Sequence, residues 1–330
     1  MLRRLVAGIA GLLLVLAGCS GENGTASSAS ASDGTPLTIG LTYVPDIQFS
    51  PFYVAEQKGY FADEGLNVTL RHHGAQESLL GALGSGEEGV VVAGGDEMMV
   101  GRSQNINVVD WGTLYQTYPV SLIVPKDSSI ISVADLAGKT VGVPGTYGET
   151  YYALKAALTE AGLNDKVNVQ TIGYTQQAAL TTKKVDAVVG FINSDAVSIE
   201  RAGTPVRTIE LVQGGVPLVG AGLGSLEPNV KTHRDTYAAV LRALRHAVEF
   251  MTSHPEETVK ITQRYVPSLA EADNAAQARA VLDATLRLYG NADQLGAQNA
   301  DTWAQQASFL EGEFLEKPVA AQDAFVDLTK

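Results

Sequence analysis

Cysteine occurs once in these 330 residues, as Cys19. A single thiol cannot close an internal disulfide or build a cysteine-rich metal cage, and it leaves no further thiol for nucleophilic catalysis. Positive charge is scarce as well. There are 23 lysines and arginines against 36 acids, a formal net charge of −13. Such a surface repels nucleic acid and anionic lipid headgroups, so no nucleic-acid partner is expected. Long apolar runs are missing too: the run at the start, Leu5 to Leu16, has 12 residues, where a helix crossing a bilayer core needs about 20.

What the chain does have at its start is Arg3 and Arg4, that short apolar run, and then Leu16-Ala17-Gly18-Cys19. Basic residues, an apolar segment and small residues before a cleavage point make a secretory signal. The last four residues resemble the lipobox of bacterial lipoproteins. The resemblance implies removal of residues 1–18, a lipid on Cys19 and anchoring at the outer face of the cell membrane, where two or more acyl chains hold firmly. Of the 16 residues from Ser20 to Thr35, 13 are Ser, Gly, Thr or Ala, and a segment so poor in apolar side chains reads as a flexible tether over 19–35. The remaining 295 or so residues exceed one ordinary core and predict two lobes.

From Leu37 short apolar runs alternate with helical stretches. Strands are predicted at Leu37–Thr42, Asn67–Arg71, Gly89–Val92 and Asn107–Trp111, with helices at Pro51–Tyr60, Glu77–Leu83 and Glu97–Gln104. A second set has strands at Val120–Val124, Thr140–Val143, Val167–Ile172, Ala187–Phe191 and Val206–Leu211, and helices at Gly148–Ala161, Thr175–Lys183 and Ser194–Arg201. Alternation of this kind predicts mostly parallel, helix-covered sheets. A last strand is placed at Leu218–Leu223, and after Thr232 only helices are expected. Tyr237, Val240, Leu241, Leu244, Val248 and Met251 have the spacing of one helical face, and further helices are placed from Pro255 and over 269–288, 301–311 and 320–328.

Four segments at predicted strand ends carry the chemistry. Tyr43-Val44-Pro45-Asp46-Ile47-Gln48-Phe49-Ser50-Pro51-Phe52-Tyr53 is a strand end, a loop, and a helix opened by Ser50 as N-cap with Pro51 behind it. Asp46 and Gln48 offer hydrogen-bonding groups there, and Phe49 and Phe52 offer flat faces. Val92-Ala93-Gly94-Gly95-Asp96 lets a ligand approach the backbone closely. Val141-Gly142-Val143-Pro144-Gly145-Thr146-Tyr147-Gly148 leads into a helix whose free N–H groups suit polar atoms. The fourth is Phe191-Ile192-Asn193-Ser194-Asp195. Open α/β sheets bind ligands outside the carboxyl ends of their strands.

In register from about Leu37 to Pro217, these segments resemble the NMT1/THI5-like substrate-binding proteins of ABC importers. The resemblance implies a type II periplasmic-binding-protein fold: two α/β lobes, two crossover strands and a C-terminal helical coat that returns to the first lobe. Lobe 1 would comprise 36–117 with 216–330, and lobe 2 118–215, with crossings near Tyr115–Pro119 and Gln213–Leu218. The site residues it implies are Asp46, Gln48, Phe49, Phe52, Gly94, Asp96, Tyr115, Tyr118, Gly145, Thr146, Tyr147, Glu149, Phe191, Asn193 and Asp195. It also implies a monomer that closes on a small molecule and is met by a permease and an ATPase, with no cofactor.

Plainer readings stand beside these. Phe52, Tyr53 and Trp111 suit a core as well as a cleft, and Asp195 suits a helix cap. Gly138-Lys139-Thr140 is no phosphate loop, since Val133 stands where that loop needs glycine, and Gly220, Gly222 and Gly224 lack dinucleotide spacing. His72 and His73 point to opposite faces of a strand and are expected at the surface, so no metal site is predicted.

Relatives in the resembled family bind thiamine-type pyrimidines, riboflavin, sulfonates or small anions. An anion site wants cationic donors, whereas here carboxylates and aromatics gather at strand ends, which favours a planar nitrogen heterocycle, riboflavin-like or a thiamine pyrimidine precursor. A sulfonate- or nitrate-type anion is the alternative. The cytoplasmic pyrimidine synthases of the same fold need a cofactor lysine and a cysteine-rich segment, and with Cys19 alone the expectation is that this chain is not an enzyme.

Overall fold

The computed structural model describes residues 34–42, 45–74, 77–212 and 214–329. The signal sequence, Cys19 and nearly all of the tether lie outside the described residues, as do Tyr43, Val44 and Gln213. Thr35, read as the last residue of the tether, already pairs with Leu66 in the first strand.

The first sheet is built from β1 (Thr35–Leu41), β2 (Leu66–His72), β3 (Val90–Gly94) and β4 (Val108–Thr113). The chain then leaves it, and β5 (Val120–Pro125), β6 (Thr140–Val143), β7 (Asn168–Thr171), β8 (Ala187–Phe191) and β9 (Val206–Ile209) form a second sheet before β10 (Ala221–Leu226) returns to the first. The strand orders are β2-β1-β3-β10-β4 and β7-β6-β8-β5-β9. Each sheet has four strands running one way and one internal strand, β10 or β5, running against them. The expectation of mostly parallel sheets therefore holds for strand direction, while the pairings are mixed. The reversed strand in each sheet is the first to follow a passage from the other sheet.

Central strands read as unbroken apolar runs because both of their faces are covered. All five residues of β3 and all six of β4 are buried, whereas edge strand β7 has none buried. Helices α1 (Ser50–Gln57), α2 (Tyr60–Asp63), α3 (Gly81–Ser85) and α4 (Gly95–Ser103) connect the first set of strands. Helices α5 (Gly148–Glu160), α6 (Gln176–Thr181) and α7 (Asp195–Arg201) connect the second. After β10 come α8 (Glu227–Thr232), α9 (Arg234–Ser253), α10 (Pro255–Thr262), α11 (Ala272–Leu286), α12 (Ala300–Glu311) and α13 (Ala321–Ala324).

The apolar stripe of α9 is buried at every one of its six positions and joins Ile39, Leu41, Phe52 and Trp111 in the first lobe's core. Each such burial is worth roughly 1.5–3 kcal/mol, which seats the C-terminal helices on the first sheet. The coat reaches further than expected. Trp303 and Leu310 of α12 pack in the second cluster with Met99, Val141 and Tyr152, and Thr285 of α11 accepts from the Asn193 amide at 2.9 Å.

Three local readings are corrected. Helix α13 ends at Ala324, and Phe325 bridges to Asp110 while the Val326 amide donates to the Asp110 carbonyl at 2.7 Å. This covers the open edge of β4, a stronger demand on the backbone than another helical turn. β10 starts three residues later than expected, because the Val219 amide donates to Gln306 at 2.7 Å and the Val219 and Gly220 carbonyls accept from the Gly95 amide at 3.1 and 3.2 Å, outside any ladder. Ser50 is no N-cap: the preceding loop is wound into a 3₁₀ turn, Ile47–Phe49, capped by the Asp46 carboxylate on the Ile47 amide at 2.7 Å.

Candidate functional site

Where β3 ends, Gly94 turns the chain into α4 and leaves Asp96 and Glu97 in the helix's first turn. That is where carboxylates suit free N–H groups. The Asp96 carboxylate accepts from the Glu97 amide at 2.7 Å, and the Glu97 carboxylate reaches back to the Gly94 amide at 3.1 Å. From the second sheet, the turn after β6 places Glu149 in the first turn of α5.

The two helix starts meet. A Cβ on Gly94 would collide with the Asp96 carboxylate and lie 3.0–3.1 Å from Glu149, and one on Gly148 would lie 3.1 Å from Glu97. Only glycines allow this approach. Tyr118, on the passage between the sheets, donates to Asp96 at 2.8 Å and lies 3.1 Å from the Glu149 carbonyl. Burial, reinforced by the charge of Glu97, raises the Asp96 carboxyl well above the ordinary range. Burial raises Glu97 too, and burial together with the charges of Asp96 and Glu97 raises Glu149. Glu149 Oε1 is shielded from solvent and has no hydrogen-bond partner.

Around this trio the structure places further residues singled out in the sequence. Tyr115 is raised by burial and then by the charge of Glu149, lies beside Asn193, and also feels Asp46. Asp195 accepts from the Phe191 amide at 2.8 Å, and burial raises its carboxyl to about 6. Asp46, Gln48 and Phe191 are half-buried. Gly145 lies directly under the ring of Tyr147, which is 61% exposed, and Thr146 is exposed.

Phe49 and Phe52 are not offered as flat faces. Both are buried in the first lobe's core, where Phe49 meets His72 edge-on at 5.5 Å. Tyr53 stacks on Tyr265 at 4.0 Å, and Trp111 is buried with its indole N–H on Ser225 Oγ at 2.9 Å. Winding the loop into a 3₁₀ turn rolls Phe49 and Phe52 inward.

The histidines correct a second reading. His72 is half-buried against the Tyr53 hydroxyl at 2.8 Å, and His73 is buried with Nε2 at 2.8 and 3.0 Å from the two oxygens of Glu88. His73, Glu77 and Glu88 bring three ligand atoms within 4.8 Å of one another, a spacing that can hold a metal ion. Arg71 donates to Glu77 and Glu88 at 2.6 Å each, so a guanidinium already balances the two carboxylates. Sequence spacing could not reveal this, since Glu88 lies 15 residues from His73.

Two further residues escaped the sequence reading. Glu97 was placed only as the first residue of a predicted helix. Asp110, an acid inside the apolar run Val108–Trp111, was the available signal for a buried carboxyl: it is fully buried, held by Gln298 at 2.6 Å and the Gly112 amide at 2.8 Å, and raised by burial to about 7.

The sequence profile of the family described as "NMT1/THI5 like" matches residues 46–258. The riboflavin-binding protein RibY of Chloroflexus aurantiacus is 30% identical, covering 99% of this chain and 97% of its own. The formylaminopyrimidine-binding protein of Halalkalibacterium halodurans is 27% identical, with 96% of each chain covered. Among solved structures, the periplasmic aliphatic sulphonate binding protein SsuA of Escherichia coli superposes with a TM-score of 0.70 at 17% identity, over 88% of this chain and 92% of that one.

The expectation that this chain is not an enzyme, drawn from its single cysteine, is overturned by enzymes among its relatives and structural neighbours. A 4-amino-5-hydroxymethyl-2-methylpyrimidine phosphate synthase of Legionella pneumophila is 24% identical over 71% of this chain and 74% of its own. The desulfurization enzyme DSZB shares the fold with a TM-score of 0.57 at 16% identity, over 89% of this chain and 97% of that one. Family and fold house catalysts as well as binders. With the matched profile spanning most of both sheets and a full-length relative at 30% identity, the chain belongs to the NMT1/THI5-like family.

Proposed function

We propose that this protein is the substrate-binding component of an ABC-type importer, carried outside the cytoplasm on a lipid anchor at Cys19, and that it encloses a planar nitrogen heterocycle between its lobes. The lobes in this reading are 36–117 with 216–330 and 118–215. The observation that carries it is the convergence of Asp96 and Glu97 from one sheet with Glu149 from the other, ringed by Tyr115 and Tyr118. Carboxylates accept from ring N–H, amino and hydroxyl groups, and phenols combine an apolar face with a polar tip. The names of the two full-length relatives, a riboflavin-binding and a formylaminopyrimidine-binding protein, agree with a flat heterocycle.

A second reading has its own support. Solved structures described as aliphatic sulphonate and alkanesulfonate binding proteins share the fold at 17% and 18% identity, and capture of such an anion is the rival. Uncompensated carboxylates weigh against it. A thermal-shift screen on protein stripped of carried-over ligand separates the two, since a ligand at a hundred times its Kd stabilises the native state by about 2.7 kcal/mol. Riboflavin or a formylated aminopyrimidine should shift the melting point, and taurine, alkanesulfonates and nitrate should not. The reverse pattern rejects the heterocycle. Mass spectrometry of the recovered ligand shows whether it is bound intact or turned over.

A further inference from the structure

Three carboxylates crowd together where the starts of α4 and α5 meet, two from α4 and one from α5, and the side chains acting on them are acids and phenols. Facing the trio are Tyr118 and Tyr115 from the passage between sheets and Tyr152 from α5; Asp46 acts on Tyr115. Helix α12 contributes the neutral Gln306, whose amide donates to the Gly95 carbonyl at 3.1 Å. Lys155, further along α5, is committed to Glu313 at 3.1 Å. Like charges held this close in a shielded site cannot all ionise together.

We propose that closure of the two lobes takes up protons at the Asp96–Glu97–Glu149 cluster, and that this end of the cleft admits only ligands presenting hydrogen-bond donors there, excluding their phosphorylated counterparts. The second half rests on the heterocycle reading and the first does not. The geometry behind it is specific. Gly94 and Gly148 lack the Cβ atoms that would hold the carboxylates apart, and Tyr118 supplies one hydroxyl, to Asp96. Glu149 Oε1 has no donor of its own. Separating the lobes returns the carboxylates to water, where they ionise and release the protons, whereas bringing them together binds protons from solvent. The raised carboxyls fit this direction. A phosphate ester would add negative charge beside three acids, with no cation among the described groups acting on them, while an N–H or O–H donor would satisfy Glu149.

Two measurements test the halves separately. Small-angle scattering of the ligand-free protein should give a larger radius of gyration at about pH 8 than at about pH 5, because closure favoured by bound protons is lost as pH rises through the raised values. In Glu97→Gln and in Glu149→Gln, neutral isosteres, the radius should change less with pH. A wild-type radius independent of pH, or an identical change in both variants, overturns the proton linkage; circular dichroism confirms that each variant is folded. Fluorescence titration with riboflavin and riboflavin 5′-phosphate tests the exclusion, the ester binding about tenfold or more weakly. Equal binding of the two rejects the exclusion and leaves the heterocycle reading standing. Binding of the ester alone rejects the exclusion as well. If neither flavin binds, the same pair of measurements on a hydroxymethylpyrimidine and its phosphate repeats the test, and failure of all four ligands removes the reading and the exclusion with it, leaving the scattering result to decide the proton linkage.

Discussion

Two groups of acids sit in the first lobe and are treated in opposite ways. Buried Glu88 and the more exposed Glu77 are gathered around Arg71 and His73, so each carboxylate meets a cationic or N–H donor. Asp96 and Glu97, a few residues on, face another acid from the second sheet and are met by two backbone amides and one phenol, with no cation among the groups acting on them. An acid paired inside a lobe serves the lobe. Acids crowded together without a compensating charge cost stability that a ligand or a proton can return, which is why perturbed carboxyls mark functional sites.

The largest effect should come from breaking the compensated group. Glu88→Ala removes a fully buried carboxylate, leaves buried His73 Nε2 without its acceptor and takes from Arg71 one of its two carboxylates, so denaturant unfolding should show a loss of about 3 kcal/mol. Next comes Asp110, buried without a cation. Its raised value means that its stabilisation is complete below about pH 4 and is lost as pH climbs through about 7. Asp110→Asn should flatten the stability–pH profile across that window by about 2 kcal/mol, and a slope equal to the wild type would show that the carboxyl does not titrate on folding.

Glu97→Gln should do the reverse of Glu88→Ala. Removing one charge from a crowded trio while keeping an oxygen for the Gly94 amide should raise stability at about pH 8 by about 1 kcal/mol, with little change at about pH 5. Destabilisation at the higher pH would erase the contrast between the two groups. The smallest effect belongs to Tyr147→Ala. Its ring is 61% exposed, so unfolding should change by less than about 0.5 kcal/mol, while ligand titration reports whether the ring shields the cleft mouth.

Legibility followed the range of the interaction. The α9 stripe from Tyr237 to Met251 was readable because its residues share one helical face at fixed spacing, and that face is buried as expected. Asp96, Glu149 and Tyr118 were readable one at a time as residues at strand ends and on the passage between lobes. Their meeting was not, because it depends on how α4 and α5 approach. Phe49 and Phe52 show the limit from the other side: an aromatic after a strand looks the same whether the turn rolls it inward or outward, and the Asp46-capped 3₁₀ turn rolls these inward.

The amino-acid sequence alone determined the two α/β sets, the helical coat, the acidic charge and the residue types at the strand ends, since these arise from periodicity and composition within short windows. Tertiary structure alone decided which acids are compensated. Arg71 reaches Glu88 across 17 residues of chain, and Glu149 reaches the neighbourhood of Gly94 from a different sheet. Electrostatic energy depends on distance in space and on access to water, and neither quantity is written in the order of residues.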